Sequence, residues 1–340
     1  MIIEVPNFSY IKNHKIDCYV NTLISALKVE NITINEHEAM AISNGVAFKY
    51  IEGTKSDIPY MGFYPVIIDF FEQFAKRSNI KIKYYNYKDT KDDFDTIVDA
   101  ISRNHCVTAV TDRFELSYAI SNHFRYIYPE GLHMPHHYIT IFGIDTEKKD
   151  FHICEPMLTL KKTDYWLNYD VIDKSRICDW EGLSIYRDIY IIEDVSTYDP
   201  KTIIEQLNSQ LIGLSEQIIE CVSKMKEFMN LYFNFYRNNQ AFINENIQKL
   251  IMCLTSLDLT KHLYRNYLCN TVESCIDNNK IVNSYKNISQ EWYNIASKAE
   301  KLVPSNDYTI DTLSEISNKI IGIINDEYNL HQQTLEYISI

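Results

Sequence analysis

The sequence contains no apolar run of the roughly 18–20 residues that a membrane-spanning helix needs, so no transmembrane segment is predicted. Its beginning, MIIEVPNFSYIKNHK, does not combine a basic region with an apolar core, and no signal peptide is predicted. A GxxxxGK(S/T) motif is also missing, so no P-loop ATP site is expected. Glycine and proline occur only eight times each, and no Gly/Ser-rich linker divides the chain.

Cysteine pairs with CxxC spacing are absent as well. The eight cysteines lie at positions 18, 106, 154, 178, 221, 253, 269 and 275, spread over both halves of the 340-residue chain. Several occur in apolar stretches such as NHCVTAV and QKLIMCLTSL. This distribution is typical of buried thiols in a reducing compartment rather than of a disulfide framework. We therefore predict a cytoplasmic protein.

Positive charge is in short supply. The chain carries 33 Lys and Arg against 46 Asp and Glu, a formal net charge of -13 at pH 7. Because binding to duplex nucleic acid depends on a basic face, nucleic acid is not a predicted partner. The charge is compatible with a cationic substrate such as a polyamine or an amino sugar, although a solvated acidic surface is the simpler explanation.

The apolar pattern divides the chain into two parts. An amphipathic helix begins at Cys18, and further helices are predicted at 34–45, with Asn35 as N-cap, at 65–79, opened by Pro65, and at 90–104. Strands are predicted at 81–88, 106–110, 137–144, 150–155 and 188–194, and the remainder of the chain is almost wholly helical. We therefore predict an α+β domain with an antiparallel sheet over residues 1–196. A helical domain over 197–340 could serve as a dimer interface, a lid or a docking platform.

Cys18 is a candidate nucleophile. If Asp17 caps the helix in NHKIDCYVNTLISALK, Cys18 lies in the first turn, where unpaired N–H groups and a partial positive charge favour a thiolate. The same N–H groups can stabilise the oxyanion of an acyl-transfer intermediate. The alternative is an ordinary buried cysteine, since free cysteine is among the most buried residue types.

A thiol nucleophile needs a histidine as its base and a third group that orients the histidine. His137 opens the apolar strand HYITIFGI, and the polar turn DTEKKD leads into a second strand that ends in Glu155 and Pro156. An antiparallel hairpin would place His137 and Glu155 at or near cross-strand positions, with Cβ atoms about 5 Å apart. The pair would then supply the base and the orienting carboxylate. A salt bridge at the rim of the sheet is the alternative.

A zinc site is a second interpretation of the histidine cluster GLHMPHHYITIFGID. His133, His136 and His137 would be its ligands. However, the spacing lacks the HExxH pattern, and no nearby cysteine pair completes a tetrahedral site. No metal is therefore predicted.

Five segments, in order, resemble the N-terminal domain of the butirosin-pathway family, which implies a papain-like fold of the C39-peptidase type. They are DCYVNTLISALK (17–28), SNGVAFKY (43–50), VTDRFELSY (110–118), HHYITIFGID (136–145) and FHICEP (151–156). The family has His-Cys at a helix start, then GxxFxY, D-x-(Y/F)-x-L-P-Y, HxIxVxGYD and DP. The resemblance covers residues 1–195, and the helical C-terminal domain of the family would correspond to 197–340.

The resemblance implies an acyltransferase that forms an amide bond in antibiotic or nonribosomal peptide biosynthesis. The acyl donor would be a thioester on an acyl or peptidyl carrier protein. The acceptor would be an amine, either an amino sugar or, as in closthioamide-type polythioamide biosynthesis, a diamine. By position, Cys18 is the nucleophile, His137 the base and Glu155 the orienting acid. Two positions depart from the pattern, because Asp17 replaces the usual His and Glu155 the usual Asp.

The oxyanion and substrate sites are less defined in the sequence. The Gln that papain-type enzymes place before the Cys is absent, which leaves the backbone N–H of Cys18 or Tyr19 and the side chain of Asn13. Aromatic residues in FKYIEG, IPYMGFYP and FRYIYPEG could line an acyl tunnel, with Tyr50, Phe63 and Tyr126 as representatives; ordinary packing is the alternative. No cofactor is predicted. The same triad would also suit a peptidase or amidase, and a non-catalytic binding scaffold is a third hypothesis.

Overall fold

The structure is a computed structural model of the chain. It describes residues 1–9, 18–43, 48–51, 62–65, 70–87, 93–116, 136–155, 164–180, 183–198, 276–305 and 309–339, with separate positions between 205 and 219 and between 268 and 273. These residues fall into two compact units. The first comprises Met1–Ser43 and Ile67–Pro200, and the second Asn44–Val66 and Lys201–Ile340. The predicted division at residue 196 stays a prediction, and segment 44–66 groups with the helical part of the chain.

The first unit is built on a seven-stranded antiparallel sheet. Six strands follow the order β4 (Lys81–Tyr85), β11 (Ile189–Asp194), β5 (Val107–Thr111), β6 (His137–Asp145), β7 (Asp150–Cys154) and β8 (Asp164–Asn168). Strand β1 (Ile2–Glu4) also pairs with β6, and β9 (Ile177–Trp180) forms a separate hairpin with β10 (Leu183–Tyr186). Every residue of β5 and β6 is buried, which explains why apolar side chains occur on both faces of these strands. The predicted mixture of helices with an antiparallel sheet is confirmed.

The helices described in this unit are α1 (Cys18–Val29), α2 (Glu36–Ile42), α3 (Phe70–Ser78), α4 (Asp93–Ser102) and α5 (Tyr169–Ser175). The sequence predicts an amphipathic α1, but all residues from Tyr19 to Leu27 are buried, including Asn21 and Thr22. A helix enclosed on all sides is held by tertiary packing rather than by one apolar stripe. Cys18 therefore opens the central helix of the unit.

The predicted start of α2 is confirmed, whereas that of α3 is wrong. Asn35 Oδ1 accepts a hydrogen bond from the Glu38 N–H at 2.9 Å, and Glu38 Oε2 accepts one from the Asn35 N–H at 2.8 Å. This reciprocal capping box fixes the first turn of α2. Pro65 does not open α3; it ends strand β3 (Gly62–Pro65), where it pairs with Phe48 of β2 (Phe48–Ile51). A proline is tolerated at the end of an edge strand because no hydrogen bond of the ladder is lost there.

The β6–β7 hairpin forms with a register that differs by two residues from direct pairing of His137 with Glu155. Thr140 lies opposite Cys154, so Glu155 falls beside Ile139. The register shifts between Ile141 and Gly143, where β6 contains one extra residue. Because side chains alternate with a period of two, an offset of two residues leaves His137 and Glu155 on the same face.

A buried ion pair joins α4 to the end of α5. The Arg176 guanidinium contacts the Asp93 carboxylate, and both residues are completely buried. The Tyr169 hydroxyl donates a hydrogen bond to Asp93 Oδ1 at 2.9 Å. A buried charge is tolerated only when it is paired and hydrogen-bonded, so these side chains depend on one another.

In the second unit, the β2–β3 hairpin and two long helices are described. Helices α6 (Asn279–Ser305) and α7 (Ile310–Ile338) pack against each other. Trp292 Nε1 donates to Glu327 Oε2 at 3.1 Å, and the hydroxyls of Tyr285 and Thr334 are 3.2 Å apart. Polar bonds inside the helix pair therefore accompany its apolar packing.

Candidate active site

His137 and Glu155 form a buried pair at one end of the sheet. His137 Nε2 lies 3.0 Å from Oε1 and 2.8 Å from Oε2 of Glu155. His137 is 4% exposed, and Glu155 is fully buried. A buried carboxylate needs a hydrogen-bonded partner, which the Nε2–H group of His137 provides. The pair is therefore not the exposed rim salt bridge that the sequence left as an alternative.

The Cys18 side chain lies close enough to the same imidazole to act on its pKa. Burial by itself would lower the pKa of His137, but the charges of Glu155 and Cys18 and the hydrogen bonds to both groups raise it to about 9. Since Glu155 engages Nε2, Nδ1 is the ring nitrogen left for the thiol. At neutral pH, His137 is therefore an imidazolium that lies between a carboxylate and the sulfur of Cys18.

The backbone around His137 is fixed from two sides. The Thr111 hydroxyl donates a hydrogen bond to the His137 carbonyl at 2.9 Å, and the same two residues are cross-strand partners in β5 and β6. His136, which precedes His137, has a φ of 61°, in the left-handed region that non-glycine residues rarely adopt. Such strained conformations cluster at functional sites because surrounding contacts hold them in place.

Tyr19 packs the first turn of α1 onto the sheet. Its ring meets Phe70 and Tyr138 edge-on, with centroid distances of 4.7 and 6.2 Å. Its carbonyl accepts a hydrogen bond from the Thr22 hydroxyl at 3.0 Å. The first N–H groups of a helix have no partner within the helix, so those of Cys18 and Tyr19 suit an oxyanion. That role of Tyr19 stays a prediction.

The other predicted site residues are not brought to this group. Asn13, Tyr126 and the predicted helix cap Asp17 lie outside the described residues. Tyr50 and Phe63 are described only in their backbone, as partners in the β2–β3 hairpin of the second unit. Their contact with a substrate stays a prediction.

Cys18 differs in environment from the other cysteines of the described residues. It is partly exposed, whereas Cys106, Cys154, Cys178 and Cys269 are buried, and all five are free thiols. Burial raises the pKa of the Cys178 thiol to about 12, and those of Cys106 and Cys154 still higher. Since the thiolate is the nucleophilic form of cysteine, burial leaves Cys106, Cys154 and Cys178 unreactive.

Within the described ranges, no group of three or more His, Cys, Asp or Glu side chains is arranged to hold a metal ion. His133 of the zinc interpretation lies outside those ranges, and His137 is engaged by Glu155. In the same part of the chain, no helix is both long and apolar enough to cross a membrane.

Tyr138 and Asp188 are two buried residues near the site that the sequence analysis did not identify. The pKa of Tyr138 is raised by burial and then by the charges of Tyr190, Cys18 and Asp188, so its phenol lies near Cys18 and Asp188. The sequence pointed to these two residues only through their position, since each lies at or directly before the start of an apolar strand. Strands β6 and β11 both run antiparallel to β5, which brings their starts to the same end of the sheet.

Comparison with known protein families found a match over part of the chain. Residues 17–156 match the sequence profile of the family described as Butirosin biosynthesis protein H, N-terminal. The matched segment contains Cys18, His137 and Glu155, and it supports the predicted relationship to the butirosin-pathway family. No curated protein matches the sequence.

Proposed function

We propose that the chain is a papain-like, cysteine-dependent acyltransferase that moves an acyl group from a carrier-protein thioester to an amine through an acyl-Cys18 intermediate. The observation that carries the proposal is the position of His137, which is bonded to Glu155 at 2.8 Å and lies near Cys18. Nucleophile, base and orienting acid are the three parts of a cysteine triad. The family match over residues 17–156 supports a role in butirosin-type biosynthesis.

In the first half-reaction, the Cys18 thiolate attacks the thioester carbonyl carbon. The carbonyl electrons move to oxygen, and the N–H groups at the start of α1 stabilise the resulting oxyanion. When the intermediate collapses, the bond between the acyl carbon and the carrier sulfur breaks. The His137 imidazolium gives its Nδ1 proton to the departing carrier thiolate, which leaves acyl-Cys18, a carrier thiol and a neutral imidazole.

In the second half-reaction, a neutral amine attacks the carbonyl carbon of acyl-Cys18. The amine gives a proton to Nδ1 of His137, and the bond between the acyl carbon and the Cys18 sulfur then breaks. The products are an amide and the original thiolate–imidazolium pair. Glu155 stabilises the imidazolium at the beginning and at the end of the cycle, so the proton balance closes without another group.

The energetics of these steps suit a carrier-bound substrate. Exchange of one thioester for another is nearly isoenergetic, and the amide formed in the second step is more stable than the thioester. The free energy released on conversion of the thioester to the amide therefore drives the reaction. The catalytic task of the protein is to orient the reactants and to stabilise charge.

Intact mass spectrometry with an acylated carrier protein tests the proposal. Wild-type protein should acquire the mass of the acyl group, and Cys18→Ala should not. Cys106→Ala is the matched control, because it removes a buried cysteine of the same unit and should still be acylated. Addition of a diamine should release the amide.

Two results would contradict the proposal. Free acid as the sole product, even with amine present, would identify a peptidase- or amidase-like hydrolase. If the wild-type chain acquires no acyl group from any thioester tested, and Cys18→Ala behaves identically, the chain is a binding scaffold in which Cys18 has a structural role.

A further inference from the structure

Asp188 lies in the row of the sheet that contains Tyr138. The Val110 N–H donates to the Asp188 carbonyl at 3.0 Å, and Val110 pairs with Tyr138 across β5 and β6. The three residues therefore occupy neighbouring positions on adjacent strands, and residues paired in this way point to the same face. Adjacent strands are about 4.8 Å apart, so the backbone of Asp188 is about 10 Å from that of Tyr138.

The proposed nucleophile lies close to this row. Helix α1 begins at Cys18, and its next residue, Tyr19, packs edge-on against Tyr138. The charges of Cys18 and Asp188 both act on the buried Tyr138 phenol. Asp188 and Cys18 thus both lie near one tyrosine.

The Asp188 carboxylate is oriented by neutral donors. Its Oδ1 accepts hydrogen bonds from the Tyr84 hydroxyl and, at 2.6 Å, from Asn86 Nδ2, and its Oδ2 accepts one from the Tyr186 N–H at 3.0 Å. Asp188 is 8% exposed, while Tyr84, on the edge strand β4, is 43% exposed. Asp188 therefore lies one strand in from the exposed edge strand β4.

The charge of Asp188 has no cationic partner within the described part of the chain. No Lys or Arg described there forms an ion pair with it. The charge of Asp188 does act on His136, but burial has the larger effect and lowers the pKa of His136 to about 4, so that imidazole is neutral at pH 7. A buried carboxylate that is hydrogen-bonded but not neutralised is suited to an incoming cation.

We infer that Asp188 binds the second, non-reacting ammonium group of an acceptor diamine or amino sugar, whose other amine attacks acyl-Cys18. This inference rests on the proposed acyltransferase function and specifies its acceptor. The bound ammonium supplies the missing counter-charge, and the distance along the row requires two nitrogens that are several ångströms apart. A monoamine can react but cannot make this contact.

Asp188 also has a structural contact, which the test must separate from binding. By accepting from Tyr186, it closes the turn at Arg187, whose φ is 55°. A residue with that role alone would change stability but not the choice between amines. The informative readout is therefore selectivity between 1,4-diaminobutane and butylamine, which have the same carbon chain.

Equilibrium dialysis with the two amines and Asp188→Asn tests the inference on the whole chain. The wild type should bind 1,4-diaminobutane more tightly than butylamine. Asp188→Asn should weaken diamine binding by about tenfold, as expected for loss of a hydrogen bond to a charged group, and leave butylamine unchanged. Asp194→Asn, at the exposed far end of β11, is the matched control and should behave as the wild type. In turnover, KM for the diamine should rise while loading of Cys18 is unaffected.

Equal binding of the two amines by the wild type would overturn the inference. This comparison needs no variant and therefore does not depend on the stability of Asp188→Asn. A diamine preference that survives in Asp188→Asn would also overturn it. The proposed function fails separately: if no acyl-Cys18 forms but diamine binding depends on Asp188, the acceptor subsite stands and the acyl-transfer chemistry does not.

Discussion

Replacement of Glu155 by glutamine separates the charge of the orienting group from its hydrogen bond. A glutamine oxygen can still accept from His137 Nε2, but it no longer carries the charge that, after burial, acts most strongly on the pKa of His137. Burial then lowers that pKa, opposed only by Cys18 and by the hydrogen bond that the glutamine retains. We expect the pKa of His137 to fall from about 9 by about 1–3 pH units, the usual effect of an adjacent opposite charge.

The consequence for activity follows from the protonated fraction of His137, because in the proposed mechanism the imidazolium donates its proton to the departing carrier thiolate. At pH 8, this fraction falls from roughly nine-tenths to between about one-half and one-hundredth. Loading of Cys18 at pH 8 should slow by about 2- to 100-fold, and the alkaline limit of loading should move from near pH 9 to about pH 6–8.

The same pKa links the site to stability. The pKa of His137 is raised from 6.5 to about 9 on folding, so its stabilisation is fully present below pH 6.5 and is lost as pH rises through 9. The size is on the order of 3 kcal/mol, since one pKa unit corresponds to about 1.36 kcal/mol. In Glu155→Gln, this loss of stability between pH 6.5 and 9 should be much smaller.

Single-turnover loading, followed by intact mass across this pH range, and urea unfolding at both ends of it measure the two effects. Glu4→Gln is the control, because it removes a carboxylate that lies 2.7 Å from His152 in a more exposed pair of the same unit. If Glu155→Gln keeps the wild-type alkaline limit and loads normally at pH 9, the Glu155 charge does not govern His137 and the assignment is refuted.

Three other perturbations test neighbouring parts of the unit. Iodoacetamide at neutral pH should alkylate Cys18 far faster than Cys106, whose thiol pKa is raised by burial; equal labelling in a peptide map would contradict a thiolate at Cys18. Arg176→Met should lower the free energy of unfolding by about 3–5 kcal/mol, because Asp93 is left buried without its charged partner. A denaturant titration measures this, and a loss below about 1 kcal/mol would show that the pair contributes little. Thr111→Val removes the hydrogen bond to the His137 carbonyl and should cost about 1 kcal/mol of stability as well as slow loading. Thr111→Ser keeps the hydroxyl and should load at the wild-type rate; identical slow loading in both variants would mean that the hydrogen bond is not what matters.

The local sequence pattern was sufficient to predict elements that are uniformly buried or that begin with a clear helix N-cap. Strands β5 and β6 were predictable because both are rich in β-branched and other apolar residues, and α2 because Asn35 and Glu38 cap each other. Strand β8 was missed, since its residues Asp164–Asn168 are only partly buried and mix polar with aromatic side chains. A strand near the margin of a sheet need not show the apolar signature of a central strand.

The site was predictable to the extent that it is local. The short turn after β6 makes a hairpin predictable, and the hairpin brings Glu155 close to His137. The extra residue between Ile141 and Gly143 changes the strand register but leaves both side chains on the same face. The position of Asp188 depends instead on the insertion of β11 between β4 and β5, segments far apart in the chain. Apolar periodicity carries no information about such distant pairing, so Asp188 became visible only in the folded sheet.

The burial of His137 bears on how the proposed acyl-cysteine intermediate can react with an amine rather than with water. His137 and Glu155 are shielded from solvent, so their chemistry is directed towards whatever reaches the partly exposed Cys18. Shielding of the base does not by itself exclude water from the acyl carbon. An acceptor held by its second ammonium at Asp188, however, has a far higher effective concentration at that carbon than a free nucleophile has. On this account, selectivity for amide formation arises from retention of the acceptor, and the ratio of amide to free acid is the quantity that Asp188 governs.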